Sequence, residues 1–388
     1  MTRETIATTP RDMATATSAY VHVPFCARRC GYCNFTVVAG RDELIPRYLT
    51  ALQRELQGLQ TPHRVETLYL GGGTPTRLPL RELEKLLTLV CRWFPPLPGA
   101  ELTVEANPGD VTSELVALLV RHGVNRVSLG AQSLQPAKLR ALDRDHTPDD
   151  VRRAVDLLRP HLPAISLDLI FAAPREELAN WEADLRAAVR LGPDHLSTYG
   201  LTIERGSSFY GRWRRGQLCQ PDEETEAAMY ELAMDALGAA GFEHYEVSNF
   251  ARPGCRCRHN EAYWQGREYL AAGPGAARFV GGCREVNHRS TFTWMARLLA
   301  GQSPIAEREC LEAEDRAREA LVLGLRRLEG INRQAFTRQT GYDPHQLGGK
   351  ALIRHVQCGL LIDDGARLRL TRRGLLVSDS LWPDYLRA

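Results

Sequence analysis

Apolar positions along this chain switch between two periods. Short β-type runs recur at Tyr20-Val21-His22-Val23, Thr67-Leu68-Tyr69-Leu70, Leu102-Thr103-Val104, Arg126-Val127-Ser128-Leu129, Ile165 to Leu169 and His195 to Tyr199, and they predict six strands. Between them the spacing becomes three and four. Ile45, Tyr48, Leu49, Leu52, Leu56 and Leu59 line up one helical face, as do Leu83, Leu86, Leu87 and Val90. A further helix starts at Thr112 or Ser113, where nearby acidic residues suit a helix N-terminus. Met229, Leu232, Ala236 and Leu237 predict one more after the sixth strand. Such alternation builds an α/β fold with a parallel sheet and right-handed crossovers. Six units are too few for a closed eight-fold barrel and fit an open, partial one.

After about residue 247 the rhythm breaks. Residues 249–310 are rich in Gly and Arg with scattered aromatics, and a helical run follows from Glu312 to Leu328. Short helices then lead to a hairpin, Leu360-Leu361-Ile362 and Leu368-Arg369-Leu370 about a turn at Asp363-Asp364-Gly365, with a last helix opening near Thr371. Helix, helix and hairpin in that order predict an α+β, winged-helix-like module. The expected divisions are an extension over 1–18, a core over 19–246, a linker and ligand-contact region over 247–310, and the C-terminal module over 311–388.

Composition narrows the function. The 49 basic residues against 47 acidic ones leave a net charge of +2, and all the basic residues but Lys85, Lys138 and Lys350 are arginine. Near-neutrality argues against electrostatic capture of nucleic acid, and no basic recognition helix stands out. No apolar run approaches the roughly 20 residues that span a bilayer. The first 18 residues lack the apolar stretch of a secretory signal. A soluble, cytoplasmic protein is the expectation.

Cys26-Ala-Arg-Arg-Cys30-Gly-Tyr-Cys33 has the form CxxxCxxC, and the other seven of the ten cysteines are dispersed. Clustered thiols in a reducing compartment point to metal or catalysis, and dispersed ones read as small buried apolar residues. Three thiolates on one loop suit an iron–sulfur cluster or a zinc knuckle. Asn34 and Phe35 supply no fourth ligand, whereas structural zinc takes four. Ligands gather at the C-terminal ends of parallel strands. There stand the cysteines, Gly71-Gly72-Gly73-Thr74-Pro75, Glu105-Ala106-Asn107-Pro108, Gly130-Ala131-Gln132, Asp168 and Tyr199-Gly200. The glycine run is no phosphate loop, because no Lys-Ser/Thr pair follows it. It permits close approach to its backbone. Glu105, Gln132, Arg144 and Asp168 are costly among buried strands unless paired or used.

The CxxxCxxC loop after the first strand, with an aromatic before its last cysteine, resembles the signature of the radical S-adenosylmethionine (SAM) superfamily. From Tyr20 to Leu386 the chain resembles the oxygen-independent coproporphyrinogen III oxidases and their relatives, the HemW-type haem chaperones. The likeness rests on Tyr20-Val-His-Val-Pro-Phe-Cys26, Gly71-Gly-Gly-Thr-Pro-Thr76, Val104-Glu-Ala-Asn-Pro-Gly109, Gly130-Ala-Gln-Ser133 and Leu167-Asp-Leu169. The resemblance implies a partial barrel of the radical SAM type. It implies a 4Fe–4S cluster on Cys26, Cys30 and Cys33, whose open iron is chelated by SAM. It implies a SAM-binding set of Tyr20, Gly72, Gly73, Thr74, Glu105, Gln132, Arg144 and Asp168. In the oxidase branch, SAM cleavage yields a radical that starts decarboxylation of a porphyrinogen propionate.

Two features resemble the chaperone branch. Phe35 stands where the oxidases have a further cysteine, and Arg258-His259-Asn260-Glu261-Ala262-Tyr263-Trp264 is similar to the chaperones' HNxxYW motif. His259 is then a candidate axial haem ligand, and Asn260, Tyr263 and Trp264 candidate haem contacts, because an imidazole can ligate the iron and aromatic rings can stack on the macrocycle. Gly31 departs from the proline common in that branch and is expected to loosen the loop. Cys255 and Cys257 read as free thiols, and His22 and His288 as structural histidines. The implied partners are haem or a porphyrinogen, a one-electron donor of the flavodoxin or ferredoxin type, and a haem-accepting protein. The alternatives are the decarboxylase itself and a radical methyltransferase or cyclopropanase. Whether the chain is an enzyme stays open at this point.

Overall fold

The computed structural model describes residues 16–386; most of the expected 1–18 extension lies outside the described residues. In chain order the core elements are β1 (Ser18–Val23), α1 (Ile45–Gln57), β2 (Val65–Gly72), α2 (Leu80–Trp93), β3 (Pro96–Ala106), α3 (Ser113–Arg121) and β4 (Arg126–Gln132). They continue with α4 (Pro136–Ala141), α5 (Pro148–Leu158), β5 (Ala164–Phe171), α6 (Leu178–Arg190), β6 (His195–Gly200), α7 (Ser208–Arg214) and α8 (Glu223–Ala239). All six expected strands are present, each longer than its apolar signal. Thr112 is the N-cap of α3, its hydroxyl accepting from the Leu115 N–H. Thr147 and Asp150 close a capping box at the start of α5.

After α8 come β7 (Glu243–Glu246), β8 (Asn249–Ala251), α9 (Arg258–Trp264), β9 (Tyr269–Ala272), β10 (Ala277–Val280), β11 (Cys283–Asn287), α10 (Thr291–Leu299) and β12 (Ile305–Cys310). The stretch 247–310, expected to be a linker, is therefore largely regular structure.

The chain forms two compact units, one of residues up to Arg29 with Phe35–Val127 and Arg267–Cys310, the other of Cys30–Asn34, Ser128–Gly266 and the residues from Leu311 on. In the first unit the strand order is β12-β11-β10-β9-β1-β2-β3. Strand β1 lies parallel to β2 on one side and parallel to β9 on the other. The outer strands β9 to β12 form an antiparallel meander. Val21, Val23, Leu68, Leu70 and Val104 have almost no exposed surface, and Tyr48, Leu52 and Leu56 of α1 are equally buried. Val21 with Val23 and Leu68 with Leu70 stand two apart and so share one covered face of their strands.

In the same unit Cys283 and Cys310 stand opposite each other in the β11–β12 register and are joined by a disulfide. The expectation that every dispersed cysteine is a small buried residue fails here, and again at Cys219 and Cys358, which are exposed. Among the described cysteines outside the disulfide, Cys257 is the buried one.

In the second unit the strand order is β4-β5-β6-β8-β7, with β6 parallel to β5 and antiparallel to β8. Its C-terminal part consists of α11 (Ala313–Leu325), β13 (Ile331–Asn332), α12 (Arg333–Thr340), α13 (Pro344–Gln357), β14 (Leu361–Asp363) and β15 (Arg367–Leu370). The three strands pair antiparallel in the order β13-β15-β14, which gives the helix-and-hairpin plan expected of a winged helix. At the hairpin turn Gly365 has a φ of 84°, and Asp363 and Asp364 accept the N–H groups of the turn. Among the described residues no helix is long and apolar enough to cross a membrane.

Candidate metal centre

The end of β1 delivers the chain into the cysteine loop. A two-residue parallel ladder pairs Phe25 with Val38 and Cys26 with Ala39, closing the loop at its base. Within the loop the Cys33 N–H donates to the Cys30 carbonyl at 3.2 Å. Cys26, Cys30 and Cys33 are half-buried and take part in no disulfide. Among the described residues no three His, Cys, Asp or Glu groups gather as a single metal ion requires. Three thiols spaced along one loop suit a multi-iron cluster, because each ligand takes its own iron.

In the first unit, His22 links the strand to the loop. Its Nε2–H donates to the Thr36 carbonyl at 2.7 Å, so Nδ1 accepts from the Tyr20 hydroxyl at 3.1 Å. Burial pushes this imidazole down to about 4, against the pull of the Thr36 carbonyl, and it is neutral. His22 is the structural histidine expected. Thr74 lies beside Cys26, with its hydroxyl oxygen 3.8 Å from the thiol sulfur and its N–H donating to the Phe25 carbonyl at 2.7 Å.

The glycine run is built by close approach, but the approaching groups are the chain's own. A β-carbon on Gly71 would stand 2.6 Å from the Glu105 carboxyl carbon, and one on Gly72 2.2 Å from the His22 ring. One on Gly73 would stand 2.7 Å from the Val23 and Phe25 carbonyl oxygens. Gly72 also has a φ of 105°, outside the range of ordinary side-chain-bearing residues. Glu105 is fixed by the Gly72 N–H at 2.9 Å on one oxygen and the Tyr69 hydroxyl at 2.8 Å on the other. Tyr69 was not foreseen, since its period-two pattern marks it only as a strand residue.

In the second unit, Arg144 donates from Nη1 to the Cys30 sulfur at 3.3 Å and from Nη2 to the Gly130 carbonyl at 2.9 Å. Gln132, at the end of β4, has a φ of 62°. That left-handed geometry is costly for a residue with a side chain and clusters at functional positions. Asp168 on β5 accepts from the Ser128 hydroxyl, with both oxygens 3.1 Å away. Tyr32 is half-buried and packs edge-on against Phe209, and desolvation raises its hydroxyl well above the usual range.

Gly31 does not loosen the loop as expected. A β-carbon there would stand 2.0 Å from the Phe209 ring, and its carbonyl accepts from the Phe209 N–H at 2.9 Å. Glycine is needed for that contact.

The HNxxYW residues fall on α9. His259 is 2% exposed, with Nε2 2.8 Å from the Tyr263 hydroxyl oxygen. In this arrangement Nε2 of the imidazole is engaged by the tyrosine hydroxyl. The Trp264 ring lies 4.6 Å beneath the Arg326 guanidinium, and its buried Nε1 has no hydrogen-bond partner. Asn260 is half-buried on the same helix. Cys257 lies next to α9, its N–H donating to the Tyr245 hydroxyl at 3.2 Å.

Comparison with known proteins adds the lineage. Residues 20–188 match the family model of the radical SAM superfamily, and residues 311–377 match that of the HemN C-terminal domain. The heme chaperone HemW of Mycobacterium tuberculosis is 39% identical, with 93% of each chain covered. That of Lactococcus lactis is 34% identical over 95% of this chain and 97% of its own, and that of Bacillus subtilis 32% identical over 95% and 99%. Among solved structures, coproporphyrinogen III oxidase (HemN) from Escherichia coli superimposes with a TM-score of 0.85 over 97% of this chain and 92% of its own, at 20% identity. That likeness establishes the fold, a parallel-rich α/β architecture of the radical SAM type.

Proposed function

The chain belongs to the HemW family of the radical SAM superfamily, and on that premise we propose that it is a haem chaperone: it binds haem, a 4Fe–4S cluster and SAM and hands haem to an acceptor protein. The observation that carries this reading is near-full-length relatedness to proteins named as heme chaperones. The chemistry of the donor set supports it, with three half-buried thiols on a loop closed at its base.

Cys26, Cys30 and Cys33 are the residues that would hold the cluster. Tyr20, Gly72, Gly73, Thr74 and Glu105, with Gln132, Arg144 and Asp168, are those that would hold SAM. When bound, the cluster supplies one-electron chemistry, and a flavodoxin- or ferredoxin-type protein is the donor of that electron. Glu105 is suited to the SAM ammonium, because its carboxylate is an anionic acceptor held in place by the Tyr69 hydroxyl and the Gly72 N–H. Haem contact is assigned to α9 in a state where the His259–Tyr263 hydrogen bond has exchanged. The site of action is the cytoplasm.

Anaerobic reconstitution followed by parallel assays tests the proposal. The expected result is stoichiometric haem retention and transfer to an acceptor, with no conversion of coproporphyrinogen III. Turnover of coproporphyrinogen III to protoporphyrinogen IX, with no haem retained, would overturn it in favour of the oxidase.

A further inference from the structure

Arg144 is assigned above to SAM, yet its geometry ties it to a cluster thiol. Nη1 reaches the Cys30 sulfur at 3.3 Å, while Nη2 is anchored on the Gly130 carbonyl at 2.9 Å. The same Nη2 lies 3.4 Å from Nδ1 of His146. Nothing in the sequence patterning singled out His146. It is 5% exposed, and its Nε2 is 2.9 Å from the Ala131 carbonyl oxygen. A carbonyl can only accept, so Nε2 carries the proton and Nδ1 presents its lone pair to the guanidinium. Two successive residues at the end of β4, Gly130 and Ala131, thus hold the arginine and the histidine by their carbonyls. The histidine in turn braces the arginine toward sulfur.

We propose that Arg144 tunes the reduction potential of the cluster by donating a hydrogen bond to the Cys30 thiolate, and that His146 is the positioning residue that keeps it aimed there. The proposal rests on the cluster reading above. Hydrogen bonds to ligand sulfur are among the factors that set iron–sulfur potentials, and the residues behind such groups are part of the site. Reduction adds negative charge to the cluster and its thiolates. A cationic donor on one thiolate therefore favours the reduced state and raises the potential.

The test is a potentiometric titration of the reconstituted full-length protein without SAM, read from the electron paramagnetic resonance signal of the reduced cluster. Iron and sulfide content and thermal stability are measured on the same samples. Arg144→Met is expected to keep its cluster and shift the midpoint to a more negative value. His146→Leu is expected to shift it the same way by a smaller amount. His146→Gln is expected to restore the parent value, because its amide can donate to Ala131 and accept from Arg144. Omitting SAM separates this effect from loss of SAM affinity.

A fully loaded Arg144→Met protein at the parent potential overturns the tuning role. A His146→Leu protein at the parent potential, while Arg144→Met is shifted, overturns the positioning role. A His146→Gln protein that stays as shifted as His146→Leu does the same. A parent protein that assembles no 4Fe–4S cluster overturns the functional reading and this proposal together, which distinguishes that failure from the others.

Discussion

Gly31 and Phe209 are in contact so close that the glycine's missing side chain is what allows it: a β-carbon would stand 2.0 Å from the ring. Phe209 has no exposed surface and belongs to a small apolar cluster with Leu142, Ile170 and Leu201, against which Tyr32 of the cysteine loop also packs. Gly31→Ala is therefore expected to destabilise the protein by about 1–3 kcal/mol through overpacking. It should also lower iron content after reconstitution, since Cys30 and the Tyr32 next to Cys33 flank the displaced position. Chemical denaturation of the apoprotein and iron analysis of the loaded protein measure the two effects. Phe209→Ala combined with Gly31→Ala should cost less than the sum of the single changes.

Lys138 is buried with two carboxylates, paired to Glu176 and 3.1 Å from Asp184. The Ser133 hydroxyl donates to Asp184 at 2.7 Å and the Ala173 N–H to Glu176 at 2.9 Å, so the cluster is well satisfied. Lys138→Met leaves two buried carboxylates without their cation and is expected to cost about 3–5 kcal/mol. The loss should shrink as pH falls, because burial already raises Glu176 above the usual carboxylate range and protonation removes the uncompensated charge. Denaturation of parent and variant at pH 5 and pH 8 checks both statements.

Glu55 gives a pH dependence of definite sign. Its carboxylate lines a cavity of about 570 Å³ and accepts from Gly273 N–H at 2.9 Å, Asn287 Nδ2 at 2.6 Å and Trp294 Nε1 at 3.1 Å. Burial outweighs these donors and raises the group from 4.5 to about 7. The folded state thus binds a proton that the unfolded state has released, so this residue's contribution is largest below pH 4.5. It declines as pH rises toward 7 and is constant above that. A decline of about 2 kcal/mol is expected after allowing for solvent in the cavity. Glu55→Gln should remove this component, so the difference in stability between parent and variant should change across pH 4.5–7 and level off above it.

For the proposed haem site on α9, the hydrogen bond between His259 and Tyr263 sets opposite expectations for two variants. Tyr263→Phe removes the hydroxyl that engages Nε2 and should raise haem retention several-fold. His259→Ala should reduce it while leaving iron–sulfur content unchanged. Haem titration of the reconstituted proteins reads both. Equal retention by all three proteins would place the haem elsewhere.

The six core strands are legible in the sequence because short apolar runs such as Val21 with Val23 and Leu68 with Leu70 recur at strand spacing between helical patterns. The start of α3 is legible because Thr112 caps it. The outer meander is not. Tyr269–Ala272 pairs with β1, about 250 positions earlier, and a contact that remote leaves no local periodicity. The Cys283–Cys310 bond is hidden for the same reason, since it follows from strand register rather than from spacing. Within the candidate site, residue types with inherent chemistry at or beside strand ends, such as Cys26 and Glu105, stand out in the sequence. Tyr69, Ser128 and His146 do not, because their part is to orient a neighbour, and orientation is a property of three-dimensional placement.

The triplet Gly71-Gly72-Gly73 carries one more implication. Each of its three vacant side-chain positions is already taken by Glu105, His22 or the carbonyls of Val23 and Phe25. At Gly71 the obstacle is the movable end of Glu105, but at Gly73 it is backbone and at Gly72 the φ of 105° adds to the crowding, so a larger residue at either of these two would strain the fold before it could crowd a ligand. Selection would thus keep Gly72 and Gly73 unchanged even in a descendant that had abandoned its cofactor, so persistence of that pair across a lineage is no proof of retained chemistry.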